Sequence, residues 1–100
     1  MNLTIINEDN AVYVDGTVLA GLDLTTTGIP NNVHALQWKT NLGWIEYKEN
    51  EDFSKPSNEI INTLPDWANN CVSTHNAKLV ELQEQANNMA QPISTGTQTL

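Results

Sequence analysis

Cys71 and His75 lie four residues apart, the spacing that stacks two side chains on one face of a helix. A thiolate beside an imidazole can act as a nucleophile and its base, and the same two groups can ligate zinc. Either chemistry needs a third member. The only other histidine, His34, falls in a stretch that reads as a strand, and two ligands do not make a zinc site. Both residues also sit on or beside an apolar stripe. A cysteine acting as a small hydrophobe, with the histidine hydrogen-bonded in a core or seam, accounts for them better. Acid–base catalysis would need two carboxylates converging in a cleft. Glu8, Asp9 and Asp15 fall in turns, and Glu49, Glu51 and Asp52 in a loop, where charge is solvated. Glu46, beside Trp44, is expected to pair across a hairpin with a lysine. The sequence has no glycine-rich phosphate loop, nucleophile elbow or His-x-x-x-His pattern. A small enzyme would need a pocket joining Cys71, His75 and His34. The residues read instead as a non-enzymatic chain with no catalytic, cofactor-binding or metal residues and no cofactor.

The charge balance narrows the partners. The 100 residues carry 12 acids and 4 bases, a net charge of −8, and the sequence pI is about 4.3. All the bases are lysines (Lys39, Lys48, Lys55 and Lys78), and arginine is absent. Neutralising phosphates takes clustered Lys and Arg, so neither nucleic acid nor an anionic membrane surface is an expected partner. One cysteine cannot form an internal disulfide, and no apolar run reaches the ~18–20 residues of a membrane span. Met1-Asn2-Leu3-Thr4 does not read as a secretory signal, which makes the cytoplasm the default place of synthesis.

The elements that must position these residues fall into a β region over 1–62, a helix over 63–90 and a flexible tail over 91–100. Leu3–Ile6, Ala11–Val14 and Thr17–Leu19 read as a three-stranded meander. Its second turn is Asp15-Gly16, a pair suited to the positive φ angles of a type I′ turn. Residues 21–32 form a connection broken by Gly28 and Pro30. Val33–Trp38 and Trp44–Lys48, separated by the linker 39–43, form a second hairpin. Alternation places His34, Leu36 and Trp38 on one face of its first strand, and one hairpin tryptophan is expected inside with the other partly exposed. An acidic loop over 49–58, pinned by Phe53, leads to a brief edge strand at Glu59–Asn62. The expected fold is α+β: a small antiparallel sheet of four or five short strands, with two hairpins, followed by one long C-terminal helix.

Thr63 reads as the helix N-cap, with Pro65 and Asp66 in the first turn, and Gln91-Pro92 as the stop. Ala68, Val72, His75, Leu79, Leu82, Ala86 and Met89 step by four and three along one seam. Leu64, Trp67 and Cys71 widen that seam in its first half, as a helix covering a sheet requires. The helix is about 39 Å long at ~1.5 Å per residue, against ~17–20 Å for the strands. Its second half should therefore find a partner, either another protein or a second copy. The competing reading is a helix end that frays. Among the six aromatics, Trp38, Trp44 and Tyr47 share one hairpin, and Trp and Tyr are favoured hot-spot residues. The candidate protein-interface residues are Val72, His75, Leu79, Leu82, Ala86, Met89, Trp44 and Tyr47.

The hairpin Val33-His34-Ala35-Leu36-Gln37-Trp38 with Gly43-Trp44-Ile45-Glu46-Tyr47 resembles small proteins encoded by tailed bacteriophages near their tail-fibre genes. The Asp15-Gly16 turn and Pro65-Asp66-Trp67-Ala68 at the helix start fit the same resemblance, which spans roughly residues 11 to 86. The helix is also similar to the helical C-terminal ends of tail-fibre assembly proteins. Such proteins carry no catalytic residues to transfer. The resemblance implies a non-enzymatic virion or tail-fibre-associated protein, made in the host cytoplasm, that docks onto phage tail or fibre proteins. A transient assembly chaperone is the nearest alternative, and an acidic inhibitor of a host nucleic-acid enzyme is the alternative from another class.

Overall fold

In a computed structural model the chain is built in the order β1 (Asn2–Ile6), β2 (Ala11–Val14), β3 (Thr17–Leu19), β4 (Val33–Lys39), β5 (Leu42–Tyr47), β6 (Glu59–Ile61) and α1 (Asp66–Ala90). Residues 1–90 are described, with side chains to Asn88; the expected tail at 91–100 lies outside them. The α+β class holds, but the strands number six rather than four or five. Glu59–Ile61 completes the count by pairing with Gly43–Ile45 at the edge. All neighbours are antiparallel, in the order β3-β2-β1-β4-β5-β6.

Alternating side chains split this sheet into a covered and an open face. One row across the covered face is Leu19–Val12–Ile5–Leu36–Ile45–Glu59. Its central members Val12, Ile5, Leu36 and Ile45 are buried in the core with Leu3, Val33, Ala68 and Cys71. The chain ends β3 at one edge and must return past β2 and β1 to start β4. Residues 20–32 make that return as part of the core: Leu22, Leu24 and Thr27 are buried, and Ile29 packs against the cluster. The side-chain amide of Asn70 donates to the Thr27 carbonyl (2.9 Å), stapling α1 to the connection.

Local chemistry fixes the register. Asp15 (φ 48°) and Gly16 (φ 87°) both adopt the positive φ that a type I′ turn requires. The β4–β5 turn is tighter than the expected 39–43 linker. Both strands extend into it and leave only Thr40-Asn41, with Thr40 at φ 61°. Gly43 belongs to β5, opposite Trp38. A Cβ there would sit 2.1 Å from the Gln37 carbonyl oxygen and 3.0 Å from the Trp38 ring, so only glycine lets the indole lie across the neighbouring strand. An irregularity between Val33 and Ala35 breaks the expected alternation. Val33 turns into the core, while His34 leaves the face of Leu36 and Trp38 to meet Glu8 at the surface. Asn7 bridges this irregularity, its amide donating to the Val33 carbonyl (2.8 Å) and its backbone N–H to that of His34 (2.9 Å).

Two further expectations change. Phe53 does not pin its loop: it is 83% exposed, with φ 67°. Thr63 is not the N-cap, because its hydroxyl approaches Asn62 Oδ1 (3.4 Å). The N–H groups of Ala68 and Asn69 donate to the Pro65 carbonyl, so the cap falls at Pro65 and the helix begins at Asp66. Gly43→Ala forces the added methyl into the backbone of the adjacent strand and is expected to cost about 2 kcal/mol or more. Urea unfolding of the variant beside the parent checks this.

Candidate functional site

The first half of α1 is welded to the sheet. Ala68, Cys71 and His75 are buried, Trp67 and Val72 pack against the core, and Leu79 is half-buried. His75 reaches from the helix to the edge strand, with Nε2 donating to the Thr17 carbonyl at 2.9 Å. Its Nδ1 lies 3.0 Å from the side-chain oxygen of Asn76. Both ring nitrogens are thus occupied by structural partners, as a core histidine requires.

Cys71 has no role beside that imidazole. Its thiol is buried, and burial pushes it above the ordinary thiol range, against a smaller opposing effect from Thr27. A raised thiol is the reverse of what a nucleophile needs. His34, the third member that thiol or zinc chemistry would require, pairs instead with Glu8 (2.9 Å) at the surface. Partial burial would raise the Glu8 carboxyl, but the His34 hydrogen bond and nearby positive charge hold it below its usual range. Among the described residues no three His, Cys, Asp or Glu side chains group closely enough to hold a metal ion.

The second half of α1 is different. Residues 80–88 are exposed throughout, including Val80 (53%) and Leu82 (38%). The seam therefore divides. Val72 and His75 belong to the contact with the core, Leu79 is half-buried at its limit, and Leu82 and Ala86 face solvent. The side chain of Met89 lies outside the described residues. This exposed half carries Glu81 and Glu84, and Lys78 meets Glu81 at 2.8 Å.

The hairpin aromatics do not form one surface. Trp38 and Tyr47 pack at the margin of the core, and Trp44 alone among them stands on the open face. Trp44 and Tyr47 are three residues apart on a strand, which places them on opposite faces. Glu46 does not pair with a lysine. Its carboxylate accepts the Trp44 indole N–H at 2.8 Å, and its cross-strand neighbour is Ala35. Tyr47 donates its hydroxyl to Glu59, which raises the phenol above its ordinary value. This pair shares an open cleft of about 410 Å³ with Pro30, Leu64, Pro65 and Trp67, between the β6 edge and the start of α1. The buried connection was not anticipated, although the alternation Leu22-Asp23-Leu24 carried its signal.

If Cys71 is sealed as described, a water-soluble disulfide reagent should label it at least about 100-fold more slowly than a free thiol at pH 8. Because the thiol is raised, the folded-state rate stays low as pH passes through the ordinary thiol range and approaches the free-thiol rate only in denaturant. Absorbance of the released reagent anion reads this directly. Compared with known proteins, the chain matches no family model, no curated protein and no solved structure.

Proposed function

We propose that this chain is a non-enzymatic docking protein that binds other proteins through the exposed second half of α1. The observation that carries the reading is the division of the helix. Up to Leu79 the seam residues are buried or half-buried in this molecule, and beyond that point Leu82 and Ala86, the next positions on the same face, have nothing to cover them among the described residues. An apolar stripe on an otherwise polar helix is the form in which a helix seats in a partner's groove. The reading extends to a bacteriophage tail or tail fibre as the partner assembly, with the chain acting as a virion component or a transient chaperone. That extension rests on the resemblance carried by the hairpin, the Asp15-Gly16 turn and the helix start at Pro65-Asp66-Trp67-Ala68.

The acidic-inhibitor reading has less support. An inhibitor of a nucleic-acid enzyme should gather its carboxylates on one face. Here Asp15 lies at the opposite end of the β1–β2–β3 meander from Glu8 and Asp9, and Glu46 stands on the open face. Where Glu8 and Glu49 do share a hollow, Lys48 and Lys55 line it with them.

Leu82→Glu with Ala86→Glu, two neighbours on the seam, tests the docking reading in the full chain. Both positions are exposed, so stability is expected to change by no more than about 0.5 kcal/mol. Light scattering of the parent should give a mass above the monomer, alone or mixed with purified tail and fibre proteins, and the double variant should stay monomeric. If the parent also stays monomeric and captures none of those proteins, helix docking is refuted.

A further inference from the structure

The sheet face turned away from α1 is uncovered, and its side chains form a pattern. One row crosses all six strands: Val18–Tyr13–Thr4–Gln37–Trp44–Ile60. Val18, Tyr13, Trp44 and Ile60 are all exposed in it. The two rings stand three strand spacings apart, about 14 Å. Between them Thr4 Oγ1 donates to Gln37 Oε1 at 2.7 Å, which engages the Gln37 oxygen and leaves its amide N–H groups as the remaining donors. The indole N–H of Trp44 is held by Glu46, so the ring is fixed in place by a bond along its own strand. The strand residues of this face carry one positive and one negative charge, Lys39 and Glu46. At the Asn2–Lys39 end of the sheet lies a hollow of about 330 Å³, lined by Tyr13, Thr4, Asn2 and Lys39 of this face together with Leu3, Gly16 and Trp38.

Three kinds of occupant can be compared on these features. Nucleic acid stacks on sheet aromatics, but it also requires a positive field, and one lysine on a chain of charge −8 does not provide it. A second copy would bring the same excess of negative charge against itself. Five strand spacings by the length of a strand give a footprint of about 400 Å², roughly half the ~800 Å² each partner contributes to a stable interface. A neutral ligand with flat apolar faces and many hydroxyls fits every feature. Its rings stack on aromatic side chains, and its hydroxyls take up donors and acceptors set between them. A hollow of this size also falls within the range of small-ligand sites.

We propose that the open face binds a neutral oligosaccharide, with sugar rings stacked on Tyr13 and Trp44 and hydroxyls bonded by Gln37, Thr4, Lys39 and Glu46. The site is separate from the exposed end of α1, so either proposal can fail without the other.

The test is calorimetric titration of the full chain with three neutral sugars, cellohexaose, maltohexaose and fully N-acetylated chitohexaose, with backbone amide shifts recorded in parallel. Saturable binding to at least one is expected, with shifts centred on Tyr13, Thr4, Gln37 and Trp44. Trp44→Ala and Tyr13→Ala should each weaken binding about tenfold, while Phe53→Ala leaves it unchanged. Gln37→Leu, similar in size, should also weaken binding and keeps the test sound if removal of a ring disturbs the fold. No saturable heat with any of the three sugars overturns the proposal, as does unaltered binding by the three row variants. Concentration-dependent shifts of the same residues without sugar would assign the face to a second copy and overturn it equally.

Discussion

Burial of the row Val12–Ile5–Leu36–Ile45 is the constraint on which the rest of the structure depends. These four side chains come from four adjacent strands and meet the helix and the connection in one cluster. Because side chains alternate, a slip of one residue in any strand would exchange this row for the one containing Tyr13, Thr4, Gln37 and Trp44. Each register device works against that slip. Asp15-Gly16 sets β2 against β3, Gly43 beneath Trp38 sets β4 against β5, and Asn7 holds the irregularity that brings Val33 inward. The asparagines at 7 and 70 act as substitutes for backbone, giving amide N–H groups to carbonyls of segments that no ladder reaches.

Covering that row takes only part of the helix. Ala68, Cys71 and His75 close the face, and His75 extends the closure to the edge strand through the Thr17 carbonyl. Beyond Leu79 the helix has left the core, and its apolar residues serve no contact within the described molecule. The molecule thus offers two surfaces that its own folding does not use: the open face of the sheet and the far end of α1. They differ in chemistry. The sheet face has rings and hydrogen-bonding groups in a fixed lattice, whereas the helix end has aliphatic side chains between carboxylates.

Much of the fold was legible in the sequence because it rested on short-range patterns. The meander, the Asp15-Gly16 turn, the second hairpin and the helix that outruns the sheet all follow from alternation, turn chemistry and length. What failed depended on contacts between distant segments. The connection over 21–32 read as a loop because Gly28 and Pro30 are conspicuous, yet Leu22 and Leu24 are buried in the core cluster. Phe53 was expected to pin the acidic loop, but the turn around it, closed by Asn50, Asp52 and Ser54, holds it outward. The surfaces were only half legible. A seam written in steps of three and four does not say where along it the sheet ends. Nor does a hairpin with two tryptophans say that Trp38 packs at the core and Trp44 does not, since that choice belongs to the pairing with β1.

The central claim is that α1 is one helix with two roles, folding element up to Leu79 and unsupported beyond it. Amide hydrogen exchange on the full chain, at a concentration where its mass is that of a monomer, tests this most directly. Amides over 70–79 should exchange only through global opening, and those over 82–88 at least about 100-fold faster. Equal protection across the whole helix in the monomer would contradict the account, because the far end would then be held by a contact within the molecule.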